Sequence, residues 1–122
     1  MRSTQSRNAL VTISHSNNKA LYTVNPETGE SALIAGVDVP NVDGILARGR
    51  TVWAVQNFLN KIARIELADD LSSGEVRDTV TSPDFNVPTT VARFGDTLAA
   101  VNAKFMDTTA TQYEVVLVQA WD

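Results

Sequence analysis

The chain contains no cysteine in its 122 residues. A disulfide framework and a thiolate-ligated zinc are therefore excluded, and cysteine usage gives no reading of the redox compartment. There is one histidine, His15. A zinc site built from several imidazoles is out of reach. A Ser-His-Asp relay would have to run through His15, and no G-x-S-x-G stretch presents a serine, so His15 reads as a strand-end or turn residue. Neither GxxxxGK nor GxGxxG occurs, so no phosphate loop is expected. No apolar run approaches the roughly 20 residues of a membrane span. The polar opening MRSTQSRN lacks the apolar stretch of a signal peptide. Basic residues are outnumbered, 10 Lys and Arg against 14 Asp and Glu, for a net charge of −4. Arg48 and Arg50 flank a turn, and the odd spacing of Lys61 and Arg64 puts them on opposite faces of one strand. These features favour a soluble chain and disfavour nucleic-acid and membrane partners.

An apolar period of 3.6 residues is also missing, so helices are not expected. What the sequence does contain, with 43% hydrophobic residues, is a series of short β-like runs between turn signals. ALVTIS (Ala9 to Ser14), ALYTV, SALIAG, GILA, TVWAVQ, KIARIEL, EVRDTV, TVARF, TLAAVN and YEVVLVQA read as about ten strands. Their connectors are too short for parallel crossovers, so the strands must run mostly antiparallel. A single domain over residues 9–122 is expected, after a polar tail at 1–8.

Two stretches repeat. VPNVDGILARGRTVWAVQN and VPTTVARFGDTLAAVNA share a layout, and their turn glycines, Gly49 and Gly95, set a period of 46 (95 − 49). At that offset Ile45 falls on Val91, Leu46 on Ala92, Val52 on Leu98 and Val55 on Val101. A looser copy lies upstream, with Asn18-Lys19 over Asn60-Lys61. Repeats of 40 to 50 residues with four strands each are the signature of propeller blades. The expected fold is all-β and antiparallel, about two and a half propeller-like blades, with pieces near 9–40, 41–86 and 87–120. Closed propellers typically have four to eight blades. A partial ring leaves apolar faces open, so the expected outcomes are a piece of a longer propeller, a homo-oligomer closing a ring through a two-fold interface, or collapse into a compact sandwich or barrel.

The runs DGILARGRTVWAVQN and FNVPTTVARFGDTLAAVNAKF resemble the C-terminal blades of six-bladed propellers of the regucalcin/gluconolactonase superfamily, grouped with NHL-type repeats. The likeness extends from about Asn8 to Val118. In lactonase members of that family, carboxylates and amides at the inner ends of blades hold a divalent cation such as calcium on the central axis. The resemblance implies Asp43, before Gly44 and Ile45, as the leading metal candidate. Asn41, Asn57 and Asn102, nearby amides at strand ends, are the secondary metal candidates, with turn formation as their plainer role, and the position matching Asp43 in the next blade holds Thr89, a poor ligand. An Asp-Gly turn that caps local backbone is the plainer explanation of Asp43.

The function expected is a propeller-type binding module of unknown ligand, a small molecule among the options, acting as an oligomer or as a piece of a longer propeller. The alternative is a metal-dependent, lactonase-like hydrolase of lactones or esters. Trp53 reads as core. Trp121 is expected to tuck against something, a partner subunit among the options. Phe58, Phe85 and Phe105 fall in connectors, as an apolar rim or as loop anchors.

Overall fold

The structure is a computed structural model that describes residues 12–15 and 17–121. The first three residues of the expected Ala9–Ser14 strand and the polar tail at 1–8 lie outside the described residues. Ten strands follow in order. They are β1 (Thr12–His15), β2 (Ala20–Val24), β3 (Ser31–Leu33), β4 (Val42–Arg48), β5 (Thr51–Gln56), β6 (Lys61–Leu67), β7 (Gly74–Thr81), β8 (Pro88–Phe94), β9 (Thr97–Asn102) and β10 (Val115–Gln119). A single 3-10 turn, Asn57–Leu59, joins β5 to β6. The strands form three separate antiparallel sheets: β1-β2-β3, then β4-β5-β6-β7, then β8-β9-β10. The fold is all-β, as three propeller-like blades in which the first and third have three strands each.

The turns explain the meander. Gly49 and Gly95 both sit at φ 59, in the tight connections β4–β5 and β8–β9. That left-handed conformation carries a Cβ penalty for other residues. The β1–β2 and β5–β6 turns match as well. His15 pairs Ala20 and Gln56 pairs Lys61, with Lys19 (φ 56) and Asn60 (φ 54) in left-handed backbone just before the returning strand. The upstream copy is therefore offset by 41 (61 − 20). The expected match of Asn18-Lys19 to Asn60-Lys61 is one residue out, because the αL position fixes the register, not the shared Asn-Lys pair.

Packing follows the strand alternation. The trailing face of a sheet is the one on the side of the preceding sheets in chain order, and the leading face is the opposite one. In the second sheet all six residues of β5 are buried. Its trailing residues Val52 and Ala54 join Ala63, Ile65 and Leu21 of the first sheet in one core. Its leading residues Trp53 and Val55 join Ile62 with Leu98, Ala100 and Val116 of the third sheet in another. Two cores thus flank one central sheet, and a residue's parity along β5 decides which core it enters. The seams are close. A Cβ on Gly44 would lie 2.6 Å from the Thr89 carbonyl oxygen, and one on Gly36 2.7 Å from that of Gly74. Glycine at these two positions lets neighbouring backbones meet.

Trp53 is fully buried, and its indole N–H donates to the Ala120 carbonyl at 3.1 Å. Trp121 packs edge-on against it, ring centres 5.3 Å apart, under the Arg64 guanidinium. The Trp121 ring therefore tucks against the protein's own central sheet. Arg64 in turn reaches Glu66 (3.5 Å) and Asp78 (4.0 Å).

Candidate functional site

One end of the sheets collects the candidate residues. β4 and β8 start there, β5 and β9 finish there, and the β5–β6 turn and the β9–β10 connection lie over it. Both inner strands open with a bulge. Val42 pairs Gln56 and Ile45 pairs Ala54, so Asp43 and Gly44 face a single partner residue; Thr89 is the extra residue between Pro88 and Thr90. A bulge bends a strand and re-aims its side chains. Asp43 and Thr89 are thus equivalent positions (89 − 43 = 46), as the repeat implies.

Asp43 is half-buried. Its backbone carbonyl accepts from the Ser14 hydroxyl at 2.9 Å, and its carboxylate accepts from the Asn57 side-chain amide at 3.3 Å. The Asn57 backbone N–H donates to the Asn41 carbonyl at 3.1 Å, and its side-chain oxygen accepts from the Phe58 N–H at 2.6 Å. Asn41 itself takes φ 61, a conformation Asn adopts more readily than most residues. Asn57 thus bonds both the Asp43 carboxylate and the Asn41 backbone carbonyl, which brings these three positions together.

Asn102 does not join them. It is fully buried and fastens loops: its side-chain oxygen accepts from the Asn86 N–H at 2.9 Å, and its amide donates to the Asp84 carbonyl (2.9 Å) and to Glu114 (3.3 Å). Gln56 holds the equivalent position (102 − 56 = 46) and does the equivalent job, donating to the Pro40 carbonyl at 2.9 Å. Buried amides at the end of the second strand tie down the segment leading into the inner strand. The period of 46 exposes Gln56, which strand-end amides alone had not singled out.

Beyond Asn102, Glu114 accepts from Lys104 at 2.6 Å. The Lys104 ammonium and then the Asn102 amide hold the Glu114 carboxyl below the usual glutamate range. Lys104 also donates to the Gln112 carbonyl, so these contacts pin the long β9–β10 connection. Next to Asn57, the Phe58 ring meets Phe105 at a centre distance of 6.0 Å. Both rings are about half exposed, 49% and 53%. Phe85, in contrast, is buried as an anchor between the second and third sheets. His15 ends β1, accepts from the Asn18 N–H at 3.3 Å and lies edge-on to Tyr22.

As a cation site, the convergent set supplies one carboxylate and neutral amides, and one amide is already turned to that carboxylate. Calcium takes six to eight oxygens. Among the described residues no cluster of three His, Cys, Asp or Glu side chains could hold a metal. The set does not fit a resident divalent cation. It does offer a carboxylate and an amide next to exposed aromatic surface. No protein-family model matches the chain, and no curated protein matches it either.

Proposed function

We propose that the protein is a propeller-type binding module that takes a small ligand at the loop end. The observation that carries this reading is a run of contacts at that end: the Asn57 amide donates to the half-buried Asp43 carboxylate, the Asn57 side-chain oxygen accepts from the Phe58 N–H, and the half-exposed Phe58 and Phe105 rings meet. Binding sites commonly combine apolar lining with a few placed polar groups. Asp43 accepts hydrogen bonds, so a ligand with an aromatic or aliphatic body and an amine or hydroxyl donor suits this surface. Tyramine is a fitting probe. Amide chemical shifts should move at 41–44, 57–60 and 103–107, and Phe105→Ser should reduce them at least severalfold. Shifts absent from those segments, or unchanged in Phe105→Ser, would contradict the assignment.

A second reading, a metal-dependent hydrolase of lactones or esters, draws on the meeting of Asn41, Asp43 and Asn57 at the opening of an inner strand. The donor set is too small for a resident ion. Calcium calorimetry decides it: saturable binding abolished by Asp43→Ala supports this reading, and no heat of binding removes it.

A further inference from the structure

The sheets pack head to tail, and the same junction occurs twice. The leading face of the first sheet meets the trailing face of the second, and the leading face of the second meets the trailing face of the third. The repeat makes these faces interchangeable in kind. On the offset of 46, Ala99 and Val101 of the third sheet stand where Trp53 and Val55 stand on the leading face of the second. On the offset of 41, Tyr22 and Val24 of the first sheet stand where Ala63 and Ile65 stand on the trailing face of the second.

Among the described residues, one leading face and one trailing face have no neighbouring sheet. The leading face of the third sheet consists of three cross-strand rows: Thr90–Val101–Val115, Ala92–Ala99–Leu117 and Phe94–Thr97–Gln119. None of these nine residues is charged, in a chain where 20% of residues are. Phe94 and Leu117 are each 60% exposed and Val115 57%. A charge-free apolar face of this kind marks an interaction surface. On the trailing face of the first sheet, Tyr22 pairs Leu33, and Leu33 is 55% exposed.

We propose that the partner of each free face is the other free face on a second copy of the chain. The leading face of the third sheet seats on the trailing face of the first sheet of its partner, and the reciprocal contact closes the pair. The occupant follows from the molecule itself: in both junctions of the chain, a trailing face of this repeat covers a leading face. Within those junctions the second and third strands supply most of the trailing-face core, Val52, Ala54, Ala63 and Ile65 in one and Leu98, Ala100 and Val116 in the other. The first sheet has strands at both of those positions. Two copies give six sheets, inside the four-to-eight range of closed propellers. A contact of this type closes when its rotation allows and otherwise extends into a filament.

The chain has no cysteine of its own, so introduced thiols report without background. Leu33→Cys and Leu117→Cys are made separately, mixed in equal amounts and oxidised, with each variant alone as control. Both side chains are exposed in the single chain, so neither change should disturb folding; circular dichroism checks this. The mixture is expected to give mainly a 33–117 cross-linked dimer, at least fivefold over either single-variant dimer. Leu117→Lys should reduce the mass in solution to that of one chain while leaving the tyramine shifts at the loop end in place. A 117–117 or 33–33 dimer as the main product overturns the proposal. So does a single-chain mass for the unmodified protein at 100 μM, or a ladder of higher masses without a dimer end point.

Discussion

Single residues carry weight here where they sit at a seam. Gly44 has the neighbouring inner strand 2.6 Å from where a Cβ would lie. Gly44→Ala must push β4 off β8, and a loss of about 1–3 kcal/mol in urea unfolding is expected. Trp53 fills the second core and donates to Ala120. Trp53→Ala should cost about 3–5 kcal/mol in the same measurement. Asn102 bonds Asn86, Asp84 and Glu114 from a fully buried position, so Asn102→Ala should cost about 1–3 kcal/mol by taking that partner from the Asn86 N–H and the Asp84 carbonyl. Glu114 adds a pH dependence. Its pKa is lower in the folded protein than in the unfolded chain. Its contribution is therefore complete above the unfolded value, about 4.3, and fades as pH falls through the lowered folded value. The gap in urea midpoint between wild type and Glu114→Gln should be widest near pH 7 and close in that acid range. A gap that stays constant to pH 3 would contradict the role given to Lys104.

At the scale of elements, much of the fold was legible because alternation and turn residues are local. β2, β5, β6 and β9 fall where ALYTV, TVWAVQ, KIARIEL and TLAAVN are read, and the period of 46 correctly overlays β4–β5 on β8–β9. The shared Val-Pro was misleading. Pro88 opens β8 opposite Asn102, while Val42, not Pro40, holds that place opposite Gln56. Val39-Pro40 is two residues out of phase with Val87-Pro88 (88 − 40 = 48, against 46). At the offset of 46, Asp43-Gly44 aligns with Thr89-Thr90. Both pairs occupy the bulge that opens an inner strand, and Gly44 is where the Thr89-Thr90 backbone comes closest. The site was legible only in part. Asn41, Asp43 and Asn57 lie within 17 residues of sequence and converge through local turns. The inward turn of Asn102 depends on the Asp84, Asn86 and Glu114 groups it bonds, and the contact of Phe58 with Phe105 on the packing of the second sheet's turn against the third sheet's connection.

For the whole molecule, the organising feature is a junction used twice and, among the described residues, left open at both ends. That pattern accounts for the strong burial of the central sheet and for the charge-free face of the third. It also separates two roles. The loop end carries polar and aromatic groups suited to a ligand, while the flat outer faces are suited to more of the same sheet. Sedimentation equilibrium of the unmodified chain tests this most directly. The expected result is a species of about twice 13.2 kDa at micromolar concentration, reverting to a single chain in Leu117→Lys. A mass of one chain for both proteins across that range would contradict it.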